Sequence, residues 1–373
     1  MNLPEGPISL VALLGRRDEP TDGVEDYCVC LGQACSRRGV SFALVRVPWA
    51  ERGWLGALRW LWRESAQWQG RCVIVQYTAL AWSHRGFPLG LLPVLFLLRR
   101  RGVSIAVVFH DTAAYPGTRW VDRLRRIVQH SVMRRTFAET DRSILPMNTE
   151  HVNWLPREHD KAVFIPVGSN IPVPMDGKGR QANGHEAGRS PSKIIAVFGI
   201  TPGRRGSQEM IEIREAVKGV AHSVPNLQLC VFGRGAKEAE PLLRQIFDGT
   251  GVELSVFGVL PAVQIGELLS RADVQMHVRN HISSQRGSVV AGIVCGTPVV
   301  GFALLETDAA IREAGVALAP PGDIRALAHA VARIVTDDVF RDEMCSRNRS
   351  ATQKWFSWDA ISDRILRALG RPL

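Results

Sequence analysis

The chain has few of the residue patterns that hold a fold together covalently. Its 373 residues include seven cysteines, an odd number with no C-x-x-C pair. Cys28 and Cys30 are two positions apart, a spacing that suits neither a zinc knuckle nor a redox motif. Cys72, Cys230 and Cys295 lie inside apolar runs, where we expect core residues. The pattern argues against a disulfide framework and indicates a reducing, cytoplasmic compartment.

Long hydrophobic runs are also missing. The longest, Phe87–Leu98, is interrupted by a proline and is much shorter than the roughly 20 residues that a membrane-spanning helix needs. The apolar stretch Ile8–Leu14 follows Glu5 and precedes Arg16 and Arg17, which is the reverse of a secretory signal. We therefore expect no transmembrane segment and no signal peptide. The expected location is the cytoplasm, with the inner face of the cell membrane as an option.

Several catalytic and cofactor motifs are absent. Gly15 ends the first predicted strand and Gly23 follows only after a polar loop, so no G-x-G-x-x-G marks a nicotinamide dinucleotide site there. No G-x-S-x-G elbow occurs. No D-x-D stands beside a strand, and His277 and His281 follow a strand without a third ligand nearby. The sequence thus predicts no metal site and no cofactor.

Acidic residues are scarce relative to basic ones. The chain carries 46 Lys and Arg against 36 Asp and Glu, a net charge of +10. Residues 1–175 hold 22 Lys and Arg against 15 Asp and Glu, a surplus of seven. The surplus indicates either an anionic partner for this half or ordinary solvated basic faces in an arginine-rich protein. Nucleic acid is disfavoured because no aromatic platform accompanies the charge.

Short apolar runs alternate with helical stretches along the whole chain, which predicts parallel sheets of the doubly wound α/β class. A segment rich in Gly, Ser and charge interrupts the alternation at 176–192 and reads as a flexible linker. We expect a Rossmann-like domain over 1–175, a second over 193–350 and a closing helical segment over 351–373. Because open α/β sheets bind ligands beyond the carboxyl ends of their strands, a cleft between the domains is the expected site.

Two turns of the second half have the character of anion sites. In Gly199–Gly206, Arg204 and Arg205 follow a strand, and Ser207 is the expected N-cap of the next helix. Arg286, Gly287 and Ser288 precede a helix whose small residues let it approach the sheet. Together the turns predict a single diphosphate held between them. The alternative for the first turn is a solvated basic loop.

The first half offers His110 and Asp111 directly after a strand. His110 can orient a sugar hydroxyl or stabilise a leaving group, or it can be a core or capping histidine. Asp111 can contact the ligand or cap the following turn. Gly23 lets a ligand approach the start of a helix, or it lies in an ordinary loop.

The basic stretch Arg119–Phe137 has helical apolar spacing with arginines on the opposite face. Such a helix can lie on an anionic bilayer. It can equally be a core helix with a solvated basic side, and both interpretations stay open.

The order of several motifs resembles that of the group 1 (family 4) glycosyltransferases. Gly199–Gly206 matches their GRL-x-x-x-KG turn, with Arg205 at the usual lysine position. Other segments continue in register: FGRG (Phe232–Gly235), Val256–Val278, CGTPVVGF, APPGD (Ala319–Asp323), KWFSWDAISDRIL and, in the first half, DGVE, FHD and FIPVGSNIPV (Phe164–Val173).

The resemblance implies the GT-B architecture, with two Rossmann-like domains facing a cleft and a C-terminal helix that crosses back to the first domain. It implies a nucleotide sugar as donor and no required metal. It also implies contacts to the sugar and nucleoside of the donor by Asp111, Gly233, Phe257, Gly258, Ser283 and Glu306.

The chain departs from this family at one point. The family usually carries two glutamates eight positions apart, one for the donor sugar and one for the ribose, and these positions are Ser283 and Ala291 here. Neither side chain can accept two hydrogen bonds as a carboxylate does. Arg286 and Ser288 become the candidates for diphosphate and sugar contacts, and Glu306 or Asp308 for the ribose.

The resemblance therefore implies a glycosyltransferase of surface polysaccharide, glycolipid or glycoconjugate synthesis, retaining and independent of metal. His110 and Arg205 are its expected catalytic residues. The acceptor, a sugar, lipid-linked or small molecule, is expected to bind the first half. One alternative is a catalytically silent relative that binds a sugar nucleotide or a partner enzyme; a nucleotide-sugar epimerase is another.

Overall fold

The computed structural model describes residues 9–19, 21–174, 192–279, 281–304 and 307–370. The chain divides into two compact units. The first unit is Met1–Pro166 together with Trp358–Leu373, and the second is Val167–Ser357. The division falls earlier than the expected boundary at residue 175. The predicted linker 176–192 lies, except for its last residue, outside the described residues.

The first unit is built on a parallel sheet of six strands in the order β2-β1-β3-β4-β5-β6. The strands are β1 (Ser9–Leu14), β2 (Ser41–Arg46), β3 (Cys72–Tyr77), β4 (Ser104–Phe109), β5 (Arg142–Leu145) and β6 (Ala162–Phe164). The helices are α1 (Gly23–Ser36), α2 (Trp49–Glu64), α3 (Leu91–Arg100), α4 (Trp120–Glu139) and, from the end of the chain, α12 (Trp358–Ala368).

Helices cover both faces of this sheet, and the alternation of side chains along each strand supplies both cores. On β3, Val73 and Val75 pack in the core beneath α2, α3 and α4, whereas Cys72 and Ile74 pack in the core beneath α1 and α12. All six residues of β3 are buried, as expected for a central strand that is covered on both sides. Among the described residues, no helix is long and apolar enough to cross a membrane.

The closing helix α12 packs on α1 and belongs to the first unit, as the resemblance implied. Its apolar side joins the core with Ile361, Ile365 and Leu366. Arg38 on α1 forms ion pairs with Asp359 and Asp363 on α12.

The second unit repeats the architecture with a parallel sheet in the order β12-β11-β10-β7-β8-β9. Its strands are β7 (Lys193–Phe198), β8 (Leu227–Phe232), β9 (Glu253–Val256), β10 (Val274–His277), β11 (Val299–Phe302) and β12 (Ala317–Ala319). Its helices are α5 (Arg204–Ala221), α6 (Ala236–Phe247), α7 (Ala262–Arg271), α8 (Gly287–Val294), α9 (Ala309–Glu313), α10 (Ile324–Thr336) and α11 (Asp338–Ala351). The α/β class and the two Rossmann-like units are therefore confirmed.

Two helices of the second unit were not expected from the sequence. The short α9 is capped by Asp308, and α11 is capped by Asp337, whose carboxylate accepts from the Phe340 N–H at 2.9 Å. The acidic pair at 337–338 thus starts a helix. Few apolar side chains recur along α11, which left its helical period hard to detect.

We predict that Arg38→Ala lowers the free energy of unfolding of the first unit by about 1 kcal/mol, because loss of this mostly buried guanidinium removes the ion pair of Asp363 and leaves Asp359 with only the exposed Arg37. Its neighbour Arg37 reaches Asp359 through solvent-exposed atoms, so Arg37→Ala should change the stability by less than about 0.5 kcal/mol. Urea unfolding followed by tryptophan fluorescence measures both values. Equal effects of the two variants would show that Arg38 does not fix α12.

Candidate functional site

The turn after β7 presents two arginines at the start of a helix. Gly203, with φ +75°, is the N-cap of α5, and Arg204 and Arg205 are the first two helical residues, both exposed. The expectation that Ser207 caps this helix is wrong, because the positive φ of Gly203 lets the helix begin earlier. The arginines therefore sit on the positive end of the helix itself, and the glycine cap offers no side chain to the first-turn N–H groups.

Close backbone contacts fix the shape of this turn. A Cβ atom on Gly206 would lie 1.9 Å from the carbonyl oxygen of Thr201, and one on Gly235 would lie 2.1 Å from that of Ile200. The buried carboxylate of Glu209 accepts from the Thr201 N–H at 2.8 Å. Only glycine permits these approaches, so the turn has little freedom to move away from α5.

The residues expected at the nucleoside lie beside this turn. The N–H of Gly233 donates to the carbonyl of Gly258 at 2.9 Å, and the N–H of Ile200 donates to the carbonyl of Arg234 at 2.9 Å. Phe257 is 39% exposed at the end of β9. Gly233, Phe257 and Gly258 are thus grouped at the carboxyl edge of the sheet, next to the turn that carries Arg204 and Arg205.

The second predicted anion turn also begins a helix. Arg286 is the N-cap of α8 without a side-chain capping bond, and Gly287 and Ser288 are its first residues. The helix lies close to β10, because a Cβ on Gly292 would come within 1.9 Å of the side-chain oxygen of Gln275. Gln275 also donates to the Ser288 carbonyl at 2.9 Å.

Sequence analysis missed Arg279, which lies two residues after the end of β10. Its Nε donates to the Thr201 hydroxyl at 3.3 Å. Its guanidinium lies over Gly199, where a Cβ would be 2.7 Å from Nη1. The sequence around it was weighed only as a metal site because of His277 and His281. The signal that could have revealed it is a cationic side chain just beyond a strand that pairs with β7.

The residues around Arg279 are strongly basic. Burial first, and then the charges of Arg286 and Arg279, lower the pKa of His277 to about 3. Burial and the charge of Arg279 likewise lower the pKa of Arg286. Among the residues that the structure describes, no Asp or Glu pairs with Arg279 or Arg286. Their charges are therefore not offset by a described carboxylate.

The predicted ribose and sugar contacts have mixed outcomes. Ser283 is partly buried, and its carbonyl accepts from the Arg286 N–H at 3.1 Å, so it adjoins the α8 turn. Asp308 is buried and its carboxylate accepts from the N–H groups of Ser284 and Ile311 at 3.0 and 3.1 Å. It therefore has a structural role, which argues against it as a ribose acceptor. Glu306 lies outside the described residues.

A pocket of about 250 Å³ lies beside the first turns of α5. It is lined by Arg205, Gln208, Glu209, Glu212, Val278, His281, Phe302, Pro321 and Gly322. Arg205 thus stands beside an open space that also holds carboxylates, which can accept from hydroxyl groups. No group of three His, Cys, Asp or Glu side chains suited to a metal occurs among the described residues.

In the first unit, His110 is held in a neutral state. Its Nε2 lies 2.8 Å from the side-chain oxygen of Gln76, and burial lowers its pKa to about 4. The ring of Tyr27 meets the imidazole edge-on, with centroids 5.0 Å apart. Because an amide oxygen only accepts, Nε2 carries the proton and Nδ1 is left as an acceptor. His110 can therefore orient a hydroxyl, but it does not act as a cation near neutral pH.

Asp111 and Gly23 have surroundings that the sequence did not indicate. The carboxylate of Asp111 accepts from the Ala79 N–H at 2.9 Å and so joins the ends of β4 and β3, rather than capping the next turn. Burial raises its pKa, and that hydrogen bond opposes the shift. Space around Gly23 is open, but the buried Asp22 caps α1 by accepting from the N–H groups of Val24 and Glu25. An anion would meet that carboxylate, so Gly23 fits a diphosphate poorly.

The predicted apolar face of α4 is only partly buried. Val132 and Phe137 are buried in the core, whereas Trp120, Leu124 and Ile127 are 76%, 47% and 63% exposed. At 100° per residue these three form one stripe, and the exposed arginines at 119, 123 and 126 form a second stripe beside it. We call these six residues the α4 surface. Its exposed apolar residues distinguish it from an ordinary solvated basic helix.

Comparison with known proteins relates the second unit to a family. Residues 194–337 match the model for glycosyl transferases group 1. The chain is 26% identical over 159 residues to phosphatidyl-myo-inositol mannosyltransferase of Mycobacterium leprae (strain TN). This alignment covers 42% of the chain and 41% of that relative, so the chain spans only about two fifths of the length of the curated relative that it matches.

Solved structures resemble the whole chain in fold. Sucrose-phosphate synthase from Thermosynechococcus elongatus is 16% identical with a TM-score of 0.71, over 97% of this chain and 98% of its own. Anabaena HepE, solved in complex with UDP and glucose, is 13% identical with a TM-score of 0.65, over 97% and 99% of the two chains. At these identities the similarity concerns the fold, and it is the GT-B fold.

We predict that the protein loses stability as the pH falls from about 6.5 towards 4, because His110 and His277 are neutral in the folded state and bind protons once unfolded. Each histidine contributes a slope of at most about 1.4 kcal/mol per pH unit between its folded and unfolded pKa values. Above the unfolded pKa the slope is zero and the full stability is present. Urea unfolding at several pH values measures this slope. His277→Asn should reduce it, whereas the same slope in the variant would contradict the neutral state of His277.

Proposed function

We propose that this chain, whose residues 194–337 belong to the group 1 glycosyl transferases, moves a sugar from a nucleotide-sugar donor to an acceptor. The observation that carries the proposal is the pair of arginine-bearing helix starts in the matched region, at α5 and at α8. Both project positive charge from the carboxyl edge of the same sheet, where α/β sheets bind ligands. A nucleoside diphosphate is the leaving group that such an arrangement suits.

The donor diphosphate is assigned to Arg204 and Arg205 on α5 and to Arg286, Gly287 and Ser288 on α8. Helix N–H groups and guanidinium groups would stabilise the negative charge that develops as the sugar bond breaks. Because the glycine contacts of the turns fix the helix N–H groups, these donors need little reorganisation during the reaction. Arg205 is the principal catalytic candidate, since it also borders the pocket beside α5.

The nucleoside is assigned to the exposed ring of Phe257 and to the backbone of Gly233 and Gly258, which lie together beside the phosphate turn. The sugar is assigned to Ser283, next to the α8 turn. From the first unit, His110 would accept a hydrogen bond from a hydroxyl at the reacting centre through Nδ1, with Asp111 beside it. Glu306 keeps its role as a candidate ribose acceptor.

Reaction without a metal ion and with retention of configuration are parts of the same proposal. The cationic side chains of α5 and α8 can supply the charge that a divalent ion supplies in other phosphate sites. Product analysis by NMR tests the anomeric outcome, and turnover in the presence of EDTA tests the metal. Surface polysaccharide, glycolipid or glycoconjugate synthesis is the pathway class that we propose.

We predict that a panel of nucleotide sugars will contain a donor that raises the melting temperature and releases nucleoside diphosphate when an acceptor is present. Arg205→Ala should reduce turnover by about 10²- to 10³-fold, the range for removal of a charge-stabilising donor. Arg271→Ala is the control, because Arg271 is exposed at the end of α7.

The outcomes separate the alternatives. Binding of a sugar nucleotide without transfer or release would identify a catalytically silent protein, which the comparisons do not favour. Conversion of the donor sugar without an acceptor would identify an epimerase. Unchanged turnover in Arg205→Ala would contradict the assignment of the phosphate turn.

We also propose that the acceptor binds the first unit and that this unit contacts an anionic membrane through the α4 surface. An exposed Trp, Leu and Ile stripe fits the interfacial layer of a bilayer, and the adjacent arginines fit its negative headgroups. The alternative was a core helix with its apolar residues buried and its arginines in water. Only the second half of α4 fits this alternative, because Val132 and Phe137 are buried there.

We predict that vesicles containing phosphatidylglycerol sediment the protein and that pure phosphatidylcholine vesicles do not. The pair Trp120→Ser and Ile127→Ser, and separately Arg123→Ser and Arg126→Ser, should each weaken binding at least tenfold, since each arginine near such a surface contributes about 1 kcal/mol. Val339→Ser, at an 82% exposed position in the second unit, is the control. Absence of binding by the wild-type protein would indicate an acceptor in solution.

A further inference from the structure

Arg279 lies at a strand end from which it can reach the same ligand as the two arginine-bearing helices. It follows β10, which pairs with β7 on one side and β11 on the other. Its guanidinium extends back over the start of the β7 turn, where it contacts Gly199 and Thr201. It therefore joins the phosphate turn to the segment that leads to Arg286.

The side chain is positioned by two contacts that occupy only part of its hydrogen-bonding capacity. Nε donates to the Thr201 hydroxyl, and the guanidinium plane is close to Gly199 because that residue has no side chain, with φ +86°. A guanidinium has five N–H donors in a fixed fork, so the remaining donors can bind an oxyanion bidentately. The positive φ of Gly199 favours glycine in this turn, and the absence of a Cβ there also leaves room for the guanidinium of Arg279.

A second observation in the same place points to a ligand. Nε2 of His277, a residue only 3% exposed, has no hydrogen-bond partner among the described residues. The same histidine is close enough to Arg279 and Arg286 for both charges to act on it. A buried polar atom without a partner is costly, and a hydroxyl of a bound ligand that donates to this atom would remove part of that cost.

The repulsion between Arg279 and Arg286 also favours a bound anion. Each raises the electrostatic energy of the other, and, in addition to burial, the charge of Arg279 contributes to the lowered pKa of Arg286. An anion bound beside both guanidinium groups would offset this repulsion.

We propose that Arg279 is a binding residue for an oxyanion of the donor, acting together with Arg286. This inference rests on the proposed function and extends it to a residue that the family resemblance does not mark. The oxyanion is either a phosphate of the nucleoside diphosphate or a carboxylate on the donor sugar. Both offer the paired oxygen atoms that an arginine fork binds.

The test compares Arg279→Met and Arg279→Lys with the wild-type protein, by calorimetry and thermal shift. Four probes are used: inorganic pyrophosphate, UDP, UDP-glucose and UDP-glucuronate. Arg279→Met should bind about 10- to 100-fold more weakly, the range for loss of hydrogen bonds to a charged group. Arg279→Lys should recover part of the affinity, because it restores the charge without the fork. Arg271→Met, an exposed arginine of the same unit, is the matched control.

The pattern over the four probes identifies the oxyanion. Weaker binding of pyrophosphate and UDP assigns Arg279 to a phosphate. Weaker binding of UDP-glucuronate alone assigns it to a carboxylate on the sugar. Either pattern supports the proposal.

The melting temperature without ligand separates a binding role from a structural one. A binding residue that repels Arg286 should leave that temperature unchanged or raise it when replaced by methionine. A lower temperature in both Arg279 variants, with equal loss of affinity in both, would show that Arg279 only holds the turn and would overturn the proposal.

Two further results would also overturn it: wild-type affinity of Arg279→Met for every probe, and no binding of any probe by the wild-type protein. Arg205→Ala is measured in parallel to separate failure of this inference from failure of the proposed function. If Arg205→Ala weakens binding and Arg279→Met does not, the inference fails and the proposed function stands.

Discussion

Close packing of glycine against backbone carbonyl groups is the constraint on which the site of the second unit depends. Gly206 touches the Thr201 carbonyl and Gly235 touches that of Ile200, so two turns and the start of α5 are locked into one surface. A single methyl group at either position would force these segments apart. These contacts set the position of the backbone that carries Arg204 and Arg205. They also set the position of the nucleoside turn and of the segment that Arg279 contacts.

Electrostatics then gives this surface its chemical character. Asp308, Asp323 and Asp337 are the N-caps of three helices. Their carboxylates accept hydrogen bonds from N–H groups of the first helical turn. The helices that begin after Gly203 and Arg286 have no such cap and carry cations instead. The same distinction applies in the first unit, where Asp22 caps α1. A carboxylate cap and an anionic ligand compete for the same N–H groups, so the identity of the cap indicates where an anion can bind.

The sequence was sufficient to predict the α/β class, the two repeats of strand and helix, and nearly every strand, because buried parallel strands leave continuous apolar runs. It also located both arginine-bearing turns. It could not show that Gly203 adopts a positive φ, and this moved the helix start from Ser207 to Arg204. Arg279 was missed because its partners, Gly199 and Thr201, are distant in sequence and meet it only across two paired strands. The N-cap of α1 was missed for a different reason: its partners are local, but an aspartate at this position is equally typical of a loop.

The position of α12 makes the first unit discontinuous in sequence, with the whole second unit inserted between its parts. Ile361, Ile365 and Leu366 complete one of its two cores, so apolar surface beneath α1 stays uncovered until they are present. During synthesis from the N-terminus, the second unit has all of its own residues before the first unit does. The first unit can therefore complete this core only after all residues of the second unit have been synthesised.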